Sequence, residues 1–222
     1  MRYRDRIHAG HELARAVAAA EPAAAREGIV LGVPRGGVIV AAALADTLGL
    51  PLDVALARKI GAPSNPELAV GAVAEGDAVW LNEPLLARFG GPGTWLDESI
   101  ARERVELVRR GQSYRRGSPP TLLGKVAIVV DDGVATGATL AVVLRALRER
   151  SPGRIVCAVP VAPPDSVDML AMLCDAVVCP LQPRRFGAVG SWFDDFRQTS
   201  DDEVIAALDK ALRPDAGADG DR

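Results

Sequence analysis

The sequence lacks the features that mark several large classes of protein. No apolar run in its 222 residues approaches the roughly 20 residues of a membrane-spanning helix, and the first twelve residues are too polar for a secretory signal. The formal net charge is −3, so a basic face for nucleic acid is not expected. These absences predict a cytoplasmic protein with neither a membrane nor a nucleic acid as its partner.

Residues that often carry catalysis or bind transition metals are scarce. The three cysteines, Cys157, Cys174 and Cys179, have no zinc-like spacing, and their apolar surroundings favour buried, reduced thiols. His8 and His11 lie in the first predicted helix, where a solvated face is favoured over a metal-binding pair. No Ser–His or Cys–His pair is evident. No G-x-x-x-x-G-K-[ST] loop is present and no G-x-G-x-x-G loop opens a helix, which disfavours P-loop hydrolases and dinucleotide-binding folds.

Apolar runs that are typical of buried strands alternate with helical segments along the chain. This order predicts an α/β fold with a mostly parallel sheet flanked by helices. A Ser200–Glu203 capping box marks the start of the last helix. The predicted strands are residues 29–33, 52–57, 68–73, 78–81, 126–130, 155–161 and 176–179, with 68–81 forming a hairpin around a turn at 75–77. The predicted helices are residues 3–20, a segment ending near 48, 95–111, 139–150, 165–173 and 201–212.

Two adjacent carboxylates, Asp131 and Asp132, end the apolar strand 126–130. At about 5 Å and an effective dielectric of about 20, two such charges repel by roughly 3 kcal/mol. A positive group or a cluster of hydroxyl donors is therefore expected against this acidic pair.

Two loops at strand ends are candidates for anion binding. The glycine loop (residues 32–37) contains Arg35, Gly36 and Gly37, whose backbone amides and guanidinium suit an anion. The threonine loop (residues 135–139) opens directly into a helix, whose first N–H groups and hydroxyls suit a phosphate. Taken alone, either loop is also typical of a tight connection or a helix cap. The binding candidates of the threonine loop are Ala135, Thr136, Gly137, Ala138 and Thr139.

The stretch from Val126 to Thr139 resembles the signature of the type I phosphoribosyltransferases: an apolar strand, two acidic residues, a spacer and Thr-Gly-(Gly/Ala)-Thr. The resemblance implies a type I fold in which the acidic pair binds the ribose hydroxyls of phosphoribosyl pyrophosphate and the threonine loop binds its 5-phosphate. The glycine loop is similar to the family's pyrophosphate loop, which often contains a cis peptide. Mg²⁺ is the implied cofactor, and it is expected to be held through the substrate without direct protein ligation, with Asp131 or Asp132 as the alternative ligand.

The resemblance also suggests how the rest of the chain is used. It assigns the chemistry to Asp131, Asp132 and Arg35, and it suggests Arg58 and Lys59 as further contacts to pyrophosphate. Four of the nine aromatic residues lie within residues 186–196, and Trp192 and Phe193 are candidates for stacking on a planar acceptor. An aromatic core or a dimer contact is the alternative for these rings.

The implied organisation has three parts. A core at 1–180 carries an insertion at about 66–111, residues 181–213 form a small C-terminal hood with the closing helix, and a disordered tail covers 214–222. The interval 60–120 does not resemble the mobile loop of the orotate or hypoxanthine enzymes, which leaves the acceptor open.

The function predicted from these residues is transfer of the 5-phosphoribosyl group to an unidentified nitrogen acceptor, such as a nucleobase, with release of pyrophosphate. The alternative is a regulator that binds the same donor without turnover. A dehalogenase-like phosphatase is disfavoured because it needs Asp-x-Asp spacing, whereas these two residues are adjacent. A homodimer is compatible with the charged helix at 95–111.

Overall fold

A computed structural model of the protein describes residues 2–75, 78–115 and 117–211. Within those residues the strands are β1 (Ile29–Gly32), β2 (Leu52–Val54), β3 (Ala57–Ala62), β4 (Asn65–Ala74), β5 (Val79–Leu81), β6 (Val126–Val130), β7 (Arg154–Ala158) and β8 (Ala176–Val178). The helices are α1 (Arg6–Ala20), α2 (Ala24–Glu27), α3 (Gly36–Leu48), α4 (Glu83–Ala87), α5 (Thr94–Tyr114), α6 (Ala138–Arg148), α7 (Pro164–Ala171) and α8 (Asp201–Ala211). No helix in the described ranges is both long and apolar enough to cross a bilayer.

The larger sheet is parallel and has the strand order β2-β1-β6-β7-β8. Side chains that alternate along its strands point to opposite faces, and helices cover both faces. Val30 and Ile128 pack with α1 and α3 on one face, whereas Leu31 and Val129 pack with α6 and α7 on the other. The predicted α/β fold is confirmed, and its central strands β1 and β6 are apolar because helices cover both faces of the sheet.

A second sheet is antiparallel, with the strand order β3-β4-β5. The predicted hairpin is confirmed as β4 and β5, although residues 76 and 77 of its turn lie outside the described residues. The predicted strand 52–57 is wrong in its second half. The chain leaves the parallel sheet after Val54 and starts a new strand at Ala57, so Arg58 and Lys59 lie within β3.

Helix positions follow the predictions within a few residues, apart from the short helices α2 and α4, which were not predicted. The capping box of α8 is confirmed: the Ser200 N–H donates to Glu203 Oε2 at 2.9 Å, and the Glu203 N–H donates to Ser200 Oγ at 3.2 Å. The predicted last residue of that helix, 212, and the predicted disordered tail at 214–222 lie outside the described residues.

The start of the described chain runs beside the C-terminal segment (residues 181–199). Tyr3 N–H donates to the Trp192 carbonyl at 2.8 Å, and Asp194 N–H donates to the Tyr3 carbonyl at 2.8 Å. The buried Tyr3 ring packs on Phe193, and its hydroxyl donates to the Pro160 carbonyl at 2.9 Å. The C-terminal segment is thereby fixed against the core close to the carboxyl ends of the parallel strands.

Both tyrosines of the chain are expected to titrate late. Burial, with smaller contributions from Cys179 and Glu12, raises the pKa of Tyr3 to about 12. Burial and then the hydrogen bond to Asp201 raise the pKa of Tyr114 to about 12. The two neutral tyrosines therefore contribute to the free energy of unfolding. This contribution is full below the unfolded pKa of about 10 and is lost as the pH rises through about 12. We expect phenolate absorbance to appear only together with loss of circular dichroism; phenolate formation at about pH 10 in a folded protein would contradict this.

Candidate active site

The glycine loop connects β1 to α3 at the carboxyl end of the parallel sheet. The peptide bond between Pro34 and Arg35 is cis, as the resemblance implied. Arg35 is exposed, and Gly36 and Gly37 form the first turn of α3. Backbone N–H groups in this turn have no partner within the helix, so the loop offers donors to an anion beside a fixed positive charge.

The acidic pair follows β6, the strand next to β1, and lies directly against the glycine loop. A β-carbon added to Gly36 would come within 1.9 Å of Asp132 Oδ2. One added to Gly37 would come within 2.8 Å of both Asp131 Oδ1 and the Val130 carbonyl oxygen. Glycine is required at both positions because the carboxylates occupy the space that a side chain would fill.

The positive group expected against the acidic pair is Arg6, at the start of α1. Its Nε donates to Asp132 Oδ2 at 2.7 Å, and the two side chains are only 11% and 17% exposed. Its Nη1 donates to the Arg197 carbonyl at 2.8 Å, and its guanidinium lies 4.0 Å from the centre of the Phe196 ring. Sequence reasoning missed Arg6, because nothing local distinguishes it from the other basic residues of a polar N-terminal helix.

The electrostatics of the acidic pair are dominated by burial. Burial and the neighbouring Asp132 charge raise the pKa of Asp131 well above its usual range. Burial also raises the pKa of Asp132, against the hydrogen bond and charge of Arg6. One guanidinium therefore faces two carboxylates, which leaves this group of three side chains with an excess of one negative charge when all are ionised.

Each carboxylate has one oxygen engaged by the protein. Asp131 Oδ1 accepts the Asp132 N–H at 2.8 Å, and Asp132 Oδ2 accepts from Arg6. Among the described residues, no donor bonds the other oxygen of either side chain. Two open carboxylate oxygens on neighbouring residues match the two hydroxyls of a vicinal diol.

The threonine loop lies beyond the acidic pair and leads into α6. Gly137 has φ 74°, a conformation that favours glycine, and it precedes the first helical residue, Ala138. Four of the five loop residues are exposed, Gly137 being the buried one. Ser166 Oγ donates to the Ala135 carbonyl at 2.7 Å, which ties the loop to α7. The exposed amides and the hydroxyls of Thr136 and Thr139 remain available to a phosphate.

Arg58 and Lys59 of β3 lie beside α5. Arg58 Nε donates to Glu103 at 2.8 Å, and both basic residues line a cavity of about 490 Å³ that Trp95 also borders. The pairing with Glu103 engages the Arg58 guanidinium on α5, and the contacts of Arg58 and Lys59 with pyrophosphate stay predictions.

The predicted stacking of Phe193 on an acceptor is wrong. Its ring is 2% exposed, packed between Tyr3 and Phe196 with centroids at 5.4 and 4.9 Å. Trp192 is half-buried, stacks on Phe186 and donates its indole N–H to the Phe186 carbonyl at 3.0 Å. These aromatic residues form a small core beneath the C-terminal segment.

Comparison with known proteins agrees with this geometry. A family model of the phosphoribosyl transferase domain, built from sequences, matches residues 4–187 of this chain. The chain belongs to the phosphoribosyl transferase family. This agrees with the sequence analysis, which disfavoured a dehalogenase-like phosphatase.

Two relatives in the phosphoribosyl transferase family are similar to this chain over nearly its whole length. The protein named "Putative phosphoribosyl transferase Rv0571c" from Mycobacterium tuberculosis is 42% identical over 215 residues, which is 96% of this chain. The chain spans about half the length of that relative, 48%. The crystal structure of TT1426 from Thermus thermophilus is 43% identical, with a TM-score of 0.84 over 94% of this chain and 98% of that one. The two chains therefore share one fold.

The family's use of Mg²⁺ can be tested against the donor set of this member. Mg²⁺ prefers carboxylate oxygens together with substrate phosphates, and the open oxygens of Asp131 and Asp132 supply the former. The excess negative charge of the acidic pair also favours a cation. Within the described parts of the chain, no group of three or more His, Cys, Asp or Glu residues forms a metal cluster. The residues fit an ion held jointly with a phosphorylated substrate.

Proposed function

We propose that the protein transfers the 5-phosphoribosyl group of phosphoribosyl pyrophosphate to a nitrogen acceptor and releases pyrophosphate. One observation carries this proposal: an acidic pair with two open carboxylate oxygens lies at the end of β6, between two anion-binding loops. A donor with a diol, a phosphate on one side and a pyrophosphate on the other has matching chemistry.

The roles of the residues follow from the bonds that change. The bond from C1 of the ribose to pyrophosphate breaks and the acceptor nitrogen attacks C1, with inversion expected from the family chemistry. Asp131 and Asp132 hold the two ribose hydroxyls, and the threonine loop holds the 5-phosphate. Arg35 and the amides of Gly36 and Gly37 stabilise the charge on departing pyrophosphate. Mg²⁺, when bound with the substrate at an open carboxylate oxygen, neutralises further negative charge.

The side chains act by positioning and electrostatics, and none forms a covalent bond to the sugar. The acidic pair, the threonine loop and the glycine loop hold the donor at three places. The acceptor can then reach C1 from one direction only, and the energy of donor binding is used to orient the reacting atoms. The negative acidic pair is also suited to the positive charge that develops on the ribose as the bond to pyrophosphate lengthens.

The four aromatic residues at 186–196 pack mainly against other residues of the protein. Two of these rings are engaged with Tyr3 and Arg6, and the other two stack on each other. Trp192 keeps an exposed part and stays a candidate for acceptor contact. The chemical class that the donor site favours is a neutral nitrogen nucleophile, because the neighbouring carboxylates repel an anion.

Calorimetric titration of phosphoribosyl pyrophosphate, with and without Mg²⁺, tests the donor site directly. We expect one Mg²⁺-dependent binding event per chain. A panel of nucleobases and small amines is then assayed for pyrophosphate release. Binding without release from any acceptor would favour the regulator, and a folded protein that fails to bind the donor would refute the proposal.

A further inference from the structure

Arg6 lies where the acidic pair, the glycine loop and the C-terminal segment meet. Its Nε bonds Asp132 Oδ2 at 2.7 Å, and a β-carbon on Gly36 would lie 2.7 Å from the same Nε. Its Nη1 bonds the Arg197 carbonyl. The guanidinium therefore lies against the acidic pair and the glycine loop, and it also bonds one segment outside the donor site.

The contacts of Arg6 restrict its guanidinium from three directions. A carboxylate and a carbonyl accept two of its N–H groups, and the Phe196 ring lies against its plane at 4.0 Å. A planar fork held in this way has little freedom, so it can fix the orientation of the carboxylate that it bonds. Phe196 is itself packed on the buried Phe193, which anchors the stack to the core.

The bond from Arg6 has a specific consequence for Asp132. It occupies Oδ2 and leaves Oδ1 as the oxygen that can accept a ribose hydroxyl. It also supplies a positive charge beside a carboxylate that is mostly removed from water, a situation in which an unpaired charge is costly. Without Arg6, the Asp132 side chain would lose both a fixed rotamer and its counter-ion.

We propose that Arg6 is a positioning residue for the ribose of the donor, acting through Asp132, and that it links this carboxylate to the C-terminal segment. The inference rests on the proposed function, because the ribose contact is part of that function. It adds a residue from the first helix, 126 positions away in sequence, to a site otherwise built from loops at strand ends.

A neighbouring arginine provides a matched control. Arg2 also joins the start of the chain to the C-terminal segment: its Nη2 donates to the Phe193 carbonyl at 2.6 Å, and its Nε lies 3.5 Å from Asp194. Its contacts are with the C-terminal segment, and its side chain is 55% exposed. Arg2 and Arg6 thus share the bridging role, and the contact with Asp132 distinguishes them.

The test measures the affinity for phosphoribosyl pyrophosphate with Mg²⁺ by calorimetry in the full chain and in Arg6→Gln, Arg6→Lys and Arg2→Gln. We expect Arg6→Gln to weaken binding by about 10- to 100-fold, by analogy with residues that orient the ligands of metal sites. Arg6→Lys should recover part of the affinity, because the ammonium keeps a charge and a donor beside Asp132 but lacks the planar fork that fixes the carboxylate. Arg2→Gln should bind within about twofold of the wild type, as is usual for exposed ion pairs.

The outcomes separate this role from the alternatives. Wild-type affinity in Arg6→Gln overturns the inference. Equal losses in Arg6→Gln and Arg6→Lys, or an equal loss in Arg2→Gln, also overturn it, because the cause is then the bridge to the C-terminal segment. Circular dichroism and thermal unfolding of each variant identify a loss due to misfolding, for which Arg6→Lys is the better-tolerated change. Failure of the wild type to bind the donor refutes the proposed function itself, and the variants are not needed for that result.

Discussion

The double variant Asp131→Asn/Asp132→Asn is expected to lose Mg²⁺-dependent binding of phosphoribosyl pyrophosphate and all turnover. Each hydrogen bond to a charged group is worth about 1.5–3 kcal/mol. Loss of two such contacts corresponds to a factor of roughly 10² to 10⁴ in affinity. The variant should still fold, because removing two buried negative charges offsets the loss of the partner of Arg6. Calorimetry measures the affinity, and circular dichroism verifies the fold.

The chain contains a matched control for this experiment. Asp194 and Asp195 are also adjacent, and their side chains are 61% and 60% exposed in the C-terminal segment. The variant Asp194→Asn/Asp195→Asn makes the same change in charge and composition away from the strand end. Donor binding that persists in the Asp131/Asp132 variant, or that falls equally in the control, would remove the acidic pair from the site.

The variant Gly37→Ala is expected to damage both stability and donor binding. Its β-carbon would lie 2.8 Å from the Val130 carbonyl oxygen and 2.9 Å from the Asp131 α-carbon. These are backbone atoms at the end of β6, where Val130 is paired with Gly32 and Ala158 on either side, so the strand cannot easily move. Overpacking of this kind costs about 1–3 kcal/mol. This exceeds the gain of up to about 1 kcal/mol from replacing glycine by alanine in a helix.

Urea unfolding and calorimetry of Gly37→Ala measure the two effects. The affinity should fall more than about tenfold, because the shift displaces Asp131 and the first turn of α3 together. Gly117→Ala is the control, since a β-carbon there meets no atom within 4 Å. If Gly37→Ala were as stable as the wild type and bound the donor equally well, the close contact between the two strand ends would not matter for function.

The parts of the fold that were predictable are those in which local pattern and burial agree. The runs that became β1, β6 and residues 155–158 of β7 are apolar because helices cover both faces of the sheet. The predicted strand 52–57 is too long because its apolar run continues through Ala55 and Leu56. These two residues are buried between β2 and β3 without being part of either strand. Burial without regular structure cannot be distinguished from a strand by composition alone.

The site was predictable where it is contiguous in sequence and unpredictable where it depends on packing. The acidic pair and the two loops each follow an apolar strand, and their motif has a fixed spacing. Arg6 reaches Asp132 across 126 residues, and the burial of Phe193 depends on Tyr3 at the other end of the chain. Such contacts are made by the tertiary fold, and no local signal records them.

The distance in sequence between Arg6 and its partners has a consequence for how the protein is made. The bonds from Arg6 span 126 residues to Asp132 and 191 residues to Arg197, and Arg2 also spans 191 residues to Phe193. During synthesis, α1 leaves the ribosome long before the segment that completes its contacts. Pairings of such separation close late, because the entropy of a long loop must be overcome first. The contacts of the N-terminal helix with residues 193–197 are therefore expected to form in one late step, after the sheet and the bond from Arg6 to Asp132 have formed.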